Sequence, residues 1–288
     1  MLTILFDGIA YGMLLFILAV GLSVTMGLMN FINLAHGAFA MAGGYLTVVL
    51  MQRFGVPFLI CLPLAFLATG FLGAIMERSL YRPMYAKPHL DQVLFSIGLA
   101  FMSVSAIDYF MGSQQQIMQL PDMLKGRIEI WDGALGMGHY RLFIIAICAA
   151  LTLALQYVLA KTTFGSRLRA SVDDSRVAAG LGINVNSVFA ITFAVGSGLA
   201  GLGGALGAEV LGLDPTFPLK FMVYFLIVVA VGGTSSITGP LLAALLLGIA
   251  DVAGKYYVPK LGAFIVYSLM LLILLWRPQG LFVRKGGH

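Results

Sequence analysis

The stretch ILFDGIAYGMLLFILAVGLSVTMGLM, residues 4–29, carries one acidic or basic side chain, Asp7, ahead of an unbroken apolar run. A helix rises about 1.5 Å per residue and a bilayer core is about 30 Å thick, so about 20 such residues cross it. This stretch is long enough to cross alone. No Lys or Arg precedes its apolar run and no small-residue cleavage site follows, so a retained first helix is expected rather than a secretory leader.

The same pattern recurs down the chain. Residues 33–52, 56–75, 92–112, 141–160 and 187–208 are apolar at spanning length. The last third is apolar too, but GGTSSITGP (232–240) and DVAGKYYVPK (251–260) divide it into 219–232, 238–253 and 261–276. The expectation is an all-α integral membrane protein with a single transmembrane domain over residues 1–288. It is a polytopic bundle of about eight or nine transmembrane helices with room for discontinuous or re-entrant segments. The count turns on whether 30–52 crosses completely.

Composition points the same way. Of 288 residues, 60% are hydrophobic and only 10% charged, with a mean hydropathy of +0.98. A soluble domain carries about 25% charged residues because its surface faces water. The charges here are too few for that, so the outer surface faces lipid. The net charge of +5 would suggest nucleic acid in a soluble protein, but in a membrane protein it belongs to loops that fix orientation. Cys61 and Cys148 each sit inside an apolar segment and read as small apolar fillers, without metal or disulfide spacing.

Basic residues cluster in three connections. ERSLYRPMYAKPHLD (77–91) holds Arg78, Arg82 and Lys87; the loop from 161 to 187 holds Lys161, Arg167, Arg169 and Arg176; the tail holds Arg277, Arg284 and Lys285. Alternating spans put all three on one side, which the positive-inside rule makes cytoplasmic, together with the C-terminus. Loop 113–140, whose Lys125 and Arg127 are balanced by Asp122, Glu129 and Asp132, falls outside.

The long loop at about 161–186 is the first functional candidate. Its centre, SRLRASVDDSRVAAGLGIN, reads as a short helix ended by Gly180 and Gly182. Arg167, Arg169, Asp173, Asp174 and Arg176 alternate there with small residues, Ala178 and Ala179 among them. A connection between two spans needs only a few residues. A polar helix of both charge signs suits docking of a soluble partner, since mixed charge sets register; a solvated helix at the headgroups is the plainer alternative.

MNFINLAHGAFAMAGGYL (29–46) is the second candidate. Asn30, Asn33 and His36 follow one another at three-residue intervals, with Gly37 beside them. Unpaired amides in lipid cost several kcal/mol, so these groups belong against protein, in a watery cavity or at the membrane edge. Two readings stand: a discontinuous helix beside a pathway, or a tight turn at the cytoplasmic surface with capping asparagines and a solvated histidine. A second interruption, with Gly232, Gly233, Thr234 and Ser235, lies on the same side.

Asp7, Asp108, Glu209, Asp214 and Asp251 sit in or beside apolar runs, most within a turn of a span end, and are expected at the outer surface. GSGLAG (196–201) matches the dinucleotide pattern G-x-G-x-x-G but lies mid-span with no strand before it; helix packing accounts for it. No G-x-x-x-x-G-K-[ST] appears, so ATP binding by a P-loop is not expected.

Four segments together resemble the branched-chain amino acid ABC permeases: GLSVTMGLMNFINLAHGAFAMAGGYL (21–46) with its N-x-A-H-G core, ERSLYRPM (77–84), GSRLRASVDDSRVAAGLGINVNSVFAITFAVGSGLAGLGGAL (165–206) and VVAVGGTSSITGPLLAALLLG (228–248). The chain is most similar to the LivH-type subunit. The resemblance implies a bacterial inner-membrane importer with a second permease of LivM type, two cytoplasmic ATPases that use ATP and Mg, and a periplasmic binding protein. It implies no cofactor on this chain and no enzymatic activity of its own. It makes 161–186 a coupling loop, although Val177-Ala178-Ala179-Gly180 stands where broader ABC importers carry E-A-A…G. Two other classes remain: a self-sufficient secondary transporter, for which Asp108 is the weak candidate, and a membrane enzyme, for which His36 with Asn30 and Asn33 lacks a nucleophile.

Overall fold

The protein is described from a computed structural model covering residues 1–29, 31–130, 135–233, 237–277 and 280. Its elements run α1 (Leu2–Met29), α2 (His36–Phe54), α3 (Phe58–Met76), α4 (His89–Met111), β1 (Arg127–Ile130), β2 (Leu135–Gly138), α5 (His139–Lys161), α6 (Thr163–Asp173), α7 (Ser175–Gly180), α8 (Val185–Leu211), α9 (Phe217–Gly232), α10 (Thr238–Tyr257) and α11 (Gly262–Trp276). Every apolar segment of the sequence is a helix. Among the described residues, α1, α3, α4, α5, α8 and α10 are long and apolar enough to cross a membrane, and α9 and the Phe264–Trp276 part of α11 are shorter apolar helices. The architecture is all-α and polytopic, as composition required.

The one sheet among the described residues is the antiparallel pair β1–β2, in the connection after α4. Four-residue strands carry too little periodicity to be read from sequence.

The bundle is built around α1 and α8. Helix α1 packs against α10, α8, α5 and α9, and α8 against α2, α3 and α1. Both are largely buried, whereas α4 and α5 turn most of their surface outward. Phe101, Met102 and Phe110 on α4 and Leu153 on α5 are exposed, as lipid-facing side chains should be. Lipid gives no hydrophobic drive between helices, so close backbone approach has to supply the attraction. Glycine provides it: a Cβ on Gly12 of α1 would lie 2.7 Å from the Ala244 carbonyl oxygen and 2.8 Å from Leu245 Cα of α10. The GSGLAG stretch lies inside α8, buried against its neighbours, in keeping with a packing role.

Hydroxyls inside the bundle close back on their own helices. Thr47, Thr69, Thr152, Thr192 and Ser197 each donate to the carbonyl four residues earlier, at 2.6–2.9 Å. Each polar group is thereby satisfied without solvent. Cys61 and Cys148 are free and fully buried, as expected of apolar fillers.

Candidate functional site

The connection between α1 and α2 does not sit at the membrane surface. His36, the first residue of α2, donates its Nε2–H to the carbonyl of Leu18 at 2.9 Å, and Leu18 lies half-way along α1. The tautomer follows from the partner, since a carbonyl only accepts. From Leu18 to Met29 the helix descends about 16 Å at 1.5 Å per residue. So α2 starts within the bundle. The second reading, a turn at the surface with a solvated histidine, is corrected: His36 and Asn33 are buried, and residues 31–35 are not helical. Asn30 lies outside the described residues.

A second layer holds this re-entrant stretch. Asn33 Oδ1 accepts from the Ala35 N–H at 3.1 Å and from the Tyr81 hydroxyl at 3.2 Å, while its Nδ2 is buried without a partner. Gln92 Oε1 accepts from the Ile32 N–H at 3.2 Å, and its Nε2 donates to the Lys87 carbonyl at 3.1 Å. Phe31 meets Tyr81 and Tyr85 edge-on, at 5.5 Å each. Tyr85 donates to the buried Glu77 at 3.2 Å, and Arg82 pairs with the same carboxylate at 3.1 Å. The loop after α3 and the start of α4 therefore grip the break through side chains. Sequence reasoning did not single out Glu77, Tyr81 or Gln92 as site residues. The available signal was ERSLYRPM itself, a charged and aromatic cluster immediately after an apolar span.

The second interruption lies between α9 and α10. Gly232 is buried so closely against α10 that a Cβ would meet the backbone of Gly239 at 2.7 Å. Gly233 adopts φ +77°, a conformation that glycine takes without steric cost. Thr234 and Ser235 lie outside the described residues. Phe225 of α9 faces His36 edge-on at 6.3 Å, so the helix before this interruption touches the first break.

The loop after α5 holds two helices where one was expected. Asp174 has an extended backbone (φ −151°, ψ 104°) that ends α6, and its Oδ1 accepts from the N–H groups of Arg176 (2.8 Å) and Val177 (3.0 Å) to cap α7. A short acidic side chain with a preference for N-caps breaks the helix in two. Arg169 donates to the Leu159 carbonyl, which ties α6 to the end of α5. Ala178 is buried, and Gly182 at φ +82° ends the segment before Asn184 caps α8. Of the residues expected in the coupling loop, Arg167, Arg169, Asp173, Asp174, Arg176, Ala179 and Gly180 are exposed, together with two apolar side chains, Val177 (58% exposed) and Leu181 (76% exposed). Apolar groups amid mixed charge at the tip of a loop make a surface suited to a soluble partner.

The ionisable residues are distributed as follows. Asp7 pairs with Arg141, and Asp214 with Lys220. Burial works against the Asp214 charge, but hydrogen bonds from Lys220 and Thr216 and the Lys220 charge outweigh it, holding the carboxyl below its ordinary range. Asp251 departs from the surface position expected for it. It is 1% exposed, bound by Lys255 at 2.5 Å and by the Tyr224 hydroxyl at 3.2 Å. Helix α10 extends to Tyr257, beyond the end read from sequence, so Asp251 lies further inside the bundle. Among the described residues, no three His, Cys, Asp or Glu side chains converge as a metal site.

Comparison with known proteins gives one answer throughout. The family described as branched-chain amino acid transport system, permease component, matches residues 4–274. The chain is 25% identical to the high-affinity branched-chain amino acid transport system permease protein BraD of Pseudomonas aeruginosa, over 97% of this chain and 95% of that one. It is 26% identical to the permease protein LivH of Escherichia coli K12, over 97% and 94%. It is 24% identical to LivM of the same organism, over 93% of this chain and 68% of that one. No solved structure matches.

Proposed function

Since this chain belongs to the branched-chain amino acid transport permease family, we propose that it is one pore-forming permease subunit of a bacterial ABC importer for branched-chain amino acids. On this reading a second permease of LivM type stands beside it, two cytoplasmic ATPases drive it with ATP and Mg, and a periplasmic binding protein supplies the substrate. The chain is a multi-pass membrane protein and a transport permease; the finer assignments are ours.

The observation that carries the reading is the outward surface of α6 and α7, where Val177 and Leu181 stand among Asp173 and Arg176. Charge distribution supports placing that surface in the cytoplasm. Among the described residues, the end of the bundle with α6 and α7 has eight cationic against four acidic side chains, and the opposite end seven against seven. The excess at one end orients it inward, with the end of α11 on the same side. Helices α1 and α9, which lead into the two interruptions, both run toward that end of the bundle. ATP-driven closure would move α6 and α7, and closely packed helices would pass the shift to the breaks as a change of discrete packing.

A self-sufficient carrier would need an interior acid free to take up a proton or ion. Among the described residues two acids are buried, and both are already held: Glu77 by Arg82 and Tyr85, and Asp251 by Lys255 and Tyr224. The test is uptake of labelled leucine, isoleucine and valine by cells that depend on this chain. Uptake should stop on ATP depletion and survive an uncoupler when ATP is maintained. The reverse pattern would remove the importer reading.

A further inference from the structure

One face of α8 joins the coupling surface to the first break. Helices α6 and α7 both pack against α8. The connection between α7 and α8 is short and closed on itself: the Gly182 N–H donates to the Ala179 carbonyl at 3.0 Å, and the Ile183 N–H to the Ala178 carbonyl at 3.1 Å. A push on α7 therefore reaches the start of α8. Phe189 and Phe193 stand four residues apart on α8 and share a side of it. Phe189 meets the Tyr85 ring edge-on at 6.2 Å, and Phe193 lies against the Tyr81 ring at 4.7 Å. These are the two tyrosines whose rings meet Phe31, and Tyr81 also holds Asn33.

Two further observations mark this segment as movable. Tyr81 closes a π-helical turn, Glu77–Tyr81, whose Glu77 carbonyl accepts from the Arg82 N–H five residues on. Such a turn carries one residue more than an α-helical turn and occurs mostly at functional sites. Return to α-helical pairing rotates the residues after it by about 100°, one residue's share of a turn. Asn33 supplies the second observation. The Ala35 N–H fixes which end of its amide is Oδ1, and the Nδ2 left over is buried with no partner among the described residues. Protein interiors rarely leave such a donor unmet.

We propose that Phe189 and Phe193 pass the movement of the coupling helices to the re-entrant break through Tyr85 and Tyr81, and that the π-helical turn between α3 and α4 has two settings. In the setting seen here the Tyr81 hydroxyl donates to Asn33 Oδ1 and Nδ2 goes unmet. In the other, a shift of α8 turns the Tyr81 ring, and its hydroxyl, which is also an acceptor, takes the Nδ2–H instead. The break is then regripped in a second discrete packing, which is how packed interiors change shape. The four aromatic residues are positioning residues, set between the coupling surface and the stretch that holds His36.

The inference rests on the importer reading, and the two fail differently. Absence of ATPases from the complex isolated through this chain would remove the reading and the inference with it. With the ATPases present, the complex is reconstituted in proteoliposomes with the periplasmic binding protein, and leucine uptake and ATP hydrolysis are measured in the same vesicles. Phe189→Ala should raise the ATP consumed per leucine several-fold, with the rate of hydrolysis and the melting temperature of the complex unchanged. Tyr85→Phe, which keeps the ring and loses the hydroxyl, should couple like the unaltered protein. An unchanged ratio in Phe189→Ala, or uptake and hydrolysis falling in parallel, would overturn the proposal. A second measurement needs no variant: trapping the unaltered complex with ATP and vanadate should change hydrogen exchange at residues 31–35 and 77–85. Equal exchange there in the trapped and nucleotide-free complexes would overturn it as well.

Discussion

Substituting Gly12 by Ala tests whether backbone contact between α1 and α10 holds the bundle together. The added methyl would meet Ala244 O at 2.7 Å and Leu245 Cα at 2.8 Å, both backbone atoms that no rotamer change can move. Carbon atoms rest at about 3.5–4.0 Å, so the helices have to separate locally by about 1 Å. Overpacking of this kind costs about 1–3 kcal/mol, and a chain of this size shifts by roughly 2–4 °C per kcal/mol, for an expected drop of about 5 °C. Gly98→Ala on α4 is the matched control, because a Cβ there meets nothing within 4 Å. The buried free thiols of Cys61 and Cys148 make the assay direct, since a thiol-reactive fluorophore labels them only as the bundle opens. If Gly12→Ala melts with Gly98→Ala and the unaltered protein, glycine contact is not what holds these helices together.

Other predictions address the breaks, the coupling surface and the charges. Replacing Gln92 with Leu leaves the Ile32 N–H unpaired in the interior, at a cost of about 1–3 kcal/mol; hydrogen exchange should rise at Ile32 first, and unaltered exchange there would count against the grip described. Charge introduced at Val177 or Leu181 should cut transport at least tenfold while the chain still inserts and melts normally, because neither side chain supports the fold; uptake assays on quantified membranes decide it. Arg169→Glu should also lower the melting temperature, since Arg169 ties α6 to the Leu159 carbonyl. The Asp214 carboxyl is held below its ordinary value of about 3.9, so its stabilising contribution is full above that pH and is lost as pH falls through the lowered value. Melts followed by circular dichroism between pH 5 and pH 3 should show this loss and show less of it in Lys220→Met.

Much of this molecule was legible before its structure. Spans are read from runs of apolar residues, and a bilayer enforces their length, so all nine segments are helices with ends within a few residues of those expected. Pairing across distant segments left no such trace. Nothing local marks His36 as reaching Leu18, or Gln92 as completing the Ile32 N–H, because those contacts depend on how helices rotate about one another. Asp251 was misplaced for a related reason: a carboxylate near a span end is exposed or buried according to whether a partner such as Lys255 stands one turn away. In the long loop, charge and glycine signalled helix, but the cap formed by Asp174 divides it, and burial of Ala178 narrows the outward surface to its neighbours.

The importer reading meets its most direct test in mass spectrometry of the complex that forms around this chain, tagged and gently extracted from its native membrane. A second multi-span permease and P-loop ATPases should be present in stoichiometric amounts, and should be lost when Val177 and Leu181 are both replaced by Asp. Repeated isolation of the chain alone, intact and active in uptake, would contradict the account.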